Sequence, residues 1–196
     1  MWLKTKGSRE EIIKIVTDFC KGQYRCLIIS GESYKKFAGV LDSIIDFVRR
    51  WNKRVPIGKN KDKIKEVILS LKKEFEVFKS CYIENFDFTQ ENIELIKKIY
   101  DTLAKTVLKS TGTTKLMHGM NPNLFVMWDK GIYDHYGCYP NSIGYIRFME
   151  SMQEVIKGIL KQHNKEEIIK GTNRTLPKLI DEYNWMHFRT SKSMWK

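Results

Sequence analysis

The chain has few cysteines, and they are badly spaced for metal: Cys20, Cys26, Cys81 and Cys138 form no C-x-x-C pair and have no matching histidine spacing. A zinc site is therefore unsupported, and the four read as reduced thiols. Long apolar runs are also missing. The longest stretches, such as 26–29 and 124–128, fall far short of the about 20 residues that a membrane-crossing helix needs. The opening Met1-Trp2-Leu3-Lys4-Thr5-Lys6-Gly7 turns polar where a signal peptide would place its apolar region, so the expected residence is the cytoplasm. No G-x-x-x-x-G-K-[ST] loop, no G-x-G-x-x-G after a strand, no H-E-x-x-H and no G-x-S-x-G elbow is present. Nucleotide hydrolysis, dinucleotide redox chemistry, zinc proteolysis and serine hydrolysis lose support together, and no cofactor or metal is expected. Sustained alternation of apolar and polar residues is absent too, which argues against strands. With no repeat, no low-complexity tract and no composition shift, residues 1–196 read as a single helical domain.

Acidic residues are outnumbered. There are 35 Lys and Arg against 23 Asp and Glu, a formal net charge of +12. Such a surplus suits a polyanionic partner, although surface charge also serves solubility alone. A 42% hydrophobic, 12% aromatic composition lies far from that of disordered chains, and the length allows a real core.

The apolar period predicts the helices. Ser8 and Glu11 form a capping box ahead of a helix over about 9–21. Phe37, Val40, Leu41, Ile44, Ile45, Val48 and Trp51 predict a helix over 33–51, and Ile64 to Phe78 another through about 79. Thr89 is placed to cap a fourth, which should stop near Gly112. Lys115 to Met120 then reads as a short helix, Asn121-Pro122-Asn123 as a turn, and Leu124 to Trp128 as a buried apolar segment ending at Asp129. Tyr145 to Ile159 predicts a long helix, and 175–185 a last one with Pro177 in its first turn. The expected fold is mainly α, a compact bundle-like domain with a helix-hairpin-helix-like element near residues 100–120.

Asp129 stands out because five apolar residues precede it and Lys130-Gly131-Ile132-Tyr133 follow, so its carboxylate should face a helix N-terminus that keeps it ionised. Enzymes that break an N-glycosidic bond need such an anion beside the sugar and access to an extruded base. The run Gly112-Thr113-Thr114-Lys115-Leu116-Met117-His118, with Pro122-Asn123-Leu124-Phe125-Val126-Met127-Trp128-Asp129-Lys130-Gly131-Ile132, resembles the core of helix-hairpin-helix DNA glycosylases, particularly the 8-oxoguanine glycosylase fold. The resemblance covers about one tenth of the chain. It has one hairpin glycine where the family usually has Gly-x-Gly, and a shorter interval between lysine and aspartate.

That resemblance implies a protein that flips a modified base and cleaves its N-glycosidic bond, whether in DNA repair or against foreign DNA. Asp129 would stabilise the developing oxocarbenium ion or help activate a nucleophile, and Lys115 would attack C1′ if the protein also acts as an AP lyase. Gly112, with Thr113 beside it, would bind a DNA phosphate. His118, Trp128, His135 and Tyr136 would line a base pocket. Each residue also has a plainer reading. Asp129 serves as an N-cap, Lys115 as a solvated lysine, Gly112 as a helix C-cap, His118 as a donor to a loop carbonyl, Trp128 as core, and His135 and Tyr136 as helix surface.

Basic residues with an interleaved indole, Arg49-Arg50-Trp51-Asn52-Lys53-Arg54, combine phosphate-binding cations with a stacking ring, or else complement a helix dipole. The basic segment from Arg49 to Lys61 and the basic C-terminal tail should flank Asp129 if DNA is the partner. A membrane surface is disfavoured and no obligate protein partner is evident, so the protein is expected in the cytoplasm or on the nucleoid. Three readings stay open: a DNA N-glycosylase, a non-catalytic nucleic-acid-binding protein on the same scaffold, and a helical protein-interaction module.

Overall fold

Apolar residues at helical spacing fold into the helices their period predicts, and the departures lie where a side chain competes for the backbone. The computed structural model describes residues 41–52, 55–172 and 174–189. The predicted helix over 9–21, the part of the 33–51 helix before 41, Lys53, Arg54 and the tail beyond 189 lie outside them. Nine α-helices and no strand occur among the described residues. Helix α1, Leu41–Trp51, buries Ile44, Ile45, Phe47 and Val48. A 3-10 turn, Gly58–Asn60, leads into α2, Lys61–Ser70. The single helix expected through 79 is broken at Leu71, whose amide bonds back to the Ile68 carbonyl at 3.1 Å before α3, Lys72–Val77. Leu71 itself is buried, so the tightened turn keeps the inward stripe continuous into Phe75 and Phe78.

Thr89 caps α4, Gln90–Ala104, by accepting the Asn92 amide at 3.2 Å. The helix ends at Ala104, eight residues short of Gly112. Thr106 explains the early stop: its hydroxyl donates to the Leu103 carbonyl at 2.6 Å and accepts the Leu108 amide at 3.2 Å, taking groups that a continuing helix would use. Lys109, at φ 50°, reverses the chain into α5, Lys109–Met120. The helix expected to begin at Lys115 therefore begins at Lys109, and Gly112 lies inside it.

Helix α5 packs between α1 and α4. Its close approach to α1 depends on glycine: a Cβ on Gly119 would stand 2.6 Å from Ile44 Cγ2, and one on Gly112 would stand 2.9 Å from Asn52 Nδ2. Residues 121–128 then cross the core without regular structure, with Leu124, Phe125, Val126, Met127 and Trp128 all buried. Helix α6, Lys130–His135, follows. Helix α7, Ser142–Leu160, is capped by Asn141 and lies against α4. Its Gln153 amide donates to the Ile83 and Phe86 carbonyls, at 2.7 and 2.6 Å, tying down the 3-10 turn Ile83–Asn85. Helix α8, Lys165–Thr172, leads to α9, Leu176–Asn184, capped by Thr175 with Pro177 in its first turn. A π-helical turn, Trp185–Arg189, ends the described chain. None of the described helices is long and apolar enough to cross a membrane.

Asn121 anchors the crossing segment. It is 5% exposed, donates to the Phe78 and Cys81 carbonyls at 2.6 and 3.0 Å, and accepts the Asn123 amide at 2.9 Å. Replacing it with alanine strands one buried and two part-buried backbone groups, so Asn121→Ala should lower the unfolding free energy by about 2–3 kcal/mol, read as a reduced midpoint in urea denaturation.

Candidate functional site

The crossing segment delivers Asp129 to the N-terminus of α6, where its Oδ1 accepts the amides of Gly131 and Ile132 at 3.0 and 3.3 Å. The N-cap reading of Asp129 is therefore its observed local role. Lys115 sits in the interior of α5. It is 8% exposed, and its Nζ donates to the Trp51 carbonyl at the end of α1, at 3.0 Å. It is a buried residue and not the solvated lysine of the plainer reading. The two residues are joined through their neighbours: Thr114 Oγ1 accepts the Trp128 amide at 3.3 Å, so the residue before Lys115 is tied to the residue before Asp129.

Lys115 and Asp129 line one pocket with Trp51, Trp128, Ile132, Lys178, Asp181, Glu182 and Trp185 among its walls. Its free volume is about 20 Å³, room for about one water. Helix α9 supplies a buried charge cluster to it. Lys178 Nζ lies 2.7 Å from Asp181 Oδ2 and 3.6 Å from Glu182 Oε1, and Arg174 Nε lies 2.8 Å from Glu182 Oε2. The Lys178 ammonium also stands over the Trp51 ring, 5.4 Å from its centroid.

Of the other expected residues, Trp128 also lines this pocket, and His118, His135 and Tyr136 do not. Trp128 is core: it is 1% exposed, its indole N–H donates to Ser110 Oγ at 3.0 Å, and it packs edge-on to Tyr100, Tyr133 and Tyr145. His118 is fully buried, with Nδ1 2.6 Å from the Phe125 carbonyl. Since a carbonyl only accepts, Nδ1 carries the proton and the ring is a donor to a loop carbonyl. Burial lowers its pKa from the usual 6.5 to about 4. His135 stacks on Phe188, with centroids 3.5 Å apart, and the buried Tyr136 donates its hydroxyl to Asn184 Oδ1 at 2.8 Å. Both belong to the contact between α6 and the π-helical turn, and neither lines the pocket with Asp129.

The expected phosphate-binding hairpin is corrected. The Gly112 amide donates to the Leu108 carbonyl at 3.0 Å within α5, and Thr113 is fully buried, so neither is presented to a phosphate. Arg49 and Arg50 are exposed on the last turn of α1, the same helix end that carries Trp51 to the pocket. Arg49 lies 3.5 Å from Asp46. Among the described residues, no group of three or more His, Cys, Asp or Glu could hold a metal ion, and Cys81 and Cys138 are free thiols.

Trp185 opens the basic C-terminal tail expected to flank Asp129, whereas sequence reading missed Lys178, Asp181 and Glu182. Their only local signal is K-x-x-D-E spacing on one face of an amphipathic helix, which ordinarily marks a solvated face. No family model, curated protein or solved structure matches the chain.

His118 makes stability depend on pH in a defined direction. Its folded pKa lies below the unfolded value, so the unfolded chain binds more protons between about pH 6.5 and 4, and stability falls as pH drops through that window. Urea unfolding should show a loss of about 2–3 kcal/mol between pH 7 and 4.5 in the native chain that is missing from His118→Gln.

Proposed function

We propose that the Lys115–Asp129 pocket is the reactive centre of a DNA N-glycosylase-like enzyme that acts on an extruded base. The observation that carries this reading is the convergence of two residues, chosen from the sequence for lyase and carboxylate roles, on one pocket rimmed by tryptophans. The exposed Arg49 and Arg50 beside it supply cations for the strand, and the net charge of +12 favours a polyanion.

In this reading, the Asp129 carboxylate, oriented by the Gly131 and Ile132 amides, stabilises positive charge on the sugar. Once its ammonium proton has passed to water, Lys115 Nζ bonds to C1′ as the C1′–N bond breaks, and the base leaves with the bonding pair and takes up a proton. Loss of the amine proton and opening of the sugar ring leave an imine that borohydride reduces to a stable adduct. A pocket of about 20 Å³ does not hold a nucleobase, so entry requires outward movement of Trp185, which stands where α9 gives way to the π-helical turn.

A second reading rests on the bonds that Lys115 and Asp129 already make to the protein: both side chains act as struts, and the basic surface binds nucleic acid without chemistry.

The readings separate on duplex DNA carrying 8-oxoguanine, uracil or alkylated bases. The native chain should release a base and give a borohydride-trapped adduct that Lys115→Ala abolishes; alkali-dependent cleavage with no adduct would leave Asp129 as the sole catalytic group. Because asparagine caps helices as well as aspartate does, Asp129→Asn should stay within about 0.5 kcal/mol of native stability while base release falls by about 100-fold or more. DNA binding with no base released from any substrate would favour the strut reading, and no binding at low salt would end both.

A further inference from the structure

Buried ion clusters are costly to desolvate, and an apolar replacement of similar volume is often as stable. The cluster on α9 therefore needs an explanation beyond stability, and its geometry offers one. Lys178 is 3% exposed and held by Asp181 and Glu182, so its ammonium has a fixed position. That ammonium stands over the face of Trp51, while the Trp51 backbone carbonyl accepts the hydrogen bond from Lys115 Nζ. Trp51 is the last residue of α1, and the Val55 amide four residues on donates to the Asn52 carbonyl, at 2.9 Å, and not to that of Trp51.

We propose that Lys178 is a positioning residue for Lys115, acting through Trp51: the cation clamps the indole, and the clamped residue aims its carbonyl at the Lys115 amine. This deepens the reading of Lys115 as the reacting group and rests on it. The clamp depends on charge, because an ammonium is drawn to the indole face and to the carboxylates while an apolar chain of the same length is not. The charged groups lining the pocket around Lys115 are Lys178, Asp181 and Glu182 from α9 and Asp129 ahead of α6. His118, one turn along α5, is turned to Phe125.

The test uses the full chain and no DNA, so its outcome is independent of base release. Native protein, Lys178→Met, Lys178→Arg and Asp181→Asn are pulsed with formaldehyde and cyanoborohydride at pH 7, and methylation of Lys115 is followed by mass spectrometry against exposed lysines such as Lys130. Native Lys115 should react slowly, being buried and hydrogen-bonded. Lys178→Met should speed its labelling by about tenfold as the anchor is released, whereas Lys178→Arg, which keeps the cation over the ring, should stay within about twofold of native. Asp181→Asn, which preserves volume and loosens the hold on Lys178, should lie between them and serves if Lys178→Met does not fold. Unchanged Lys115 labelling in Lys178→Met and Asp181→Asn overturns the proposal, as does equal acceleration in the Met and Arg variants. Base release that persists alongside unchanged labelling sinks the clamp and leaves the glycosylase reading standing.

Discussion

Everything near the candidate site depends on satisfying the backbone of a buried segment that belongs to no helix or sheet. Residues 121–128 run through the core, where an unpaired amide or carbonyl is expensive. Side chains from other elements meet that demand. His118 donates to the Phe125 carbonyl, Tyr145 donates to the Val126 carbonyl at 2.9 Å, and Thr114 accepts the Trp128 amide. Polar residues in the core of α5 thereby become intelligible: His118 and Thr114 lie on a helix with little amphipathic character because one of its faces serves a backbone and not an apolar surface.

The same constraint brings chemistry together. Pinning Trp128 to Thr114 sets Asp129 and Lys115 at the two ends of one link, and the α6 N-terminus orients the carboxylate. Electrostatics completes the arrangement from a distant part of the chain, since the α9 ion cluster meets the end of α1 at Trp51. Trp51 is the shared part: its ring faces one lysine and its carbonyl holds the other.

Much of the helical framework was legible because it rests on local signals. The stripes of α1, α2, α4 and α7, the Thr89 and Thr175 caps and Pro177 in the first turn of α9 are found where the period and the capping chemistry place them. The turn between α4 and α5 was misread because glycine at 112 looked like a stop, whereas the true stop is a threonine hydroxyl at 106 and a reversal at Lys109. In three dimensions, Gly112 is explained by the nearness of Asn52. The phosphate-binding role assigned to it finds no free amide there, because the Gly112 N–H already donates to the Leu108 carbonyl.

By itself, the sequence determined a mainly α chain with no membrane-crossing helix among the described residues, the cap at Asp129 and the buried run before it, since hydrophobic period and capping act within a few residues. Only tertiary structure decided that Lys115 is buried, that it shares a pocket with Asp129, and that Lys178, Asp181 and Glu182 form its far wall. A charged residue on an amphipathic helix is solvated by default, and whether it is instead held in a low-dielectric cluster depends on which helix end packs over it. Here that end is Trp51, more than 120 positions away from Lys178 along the chain.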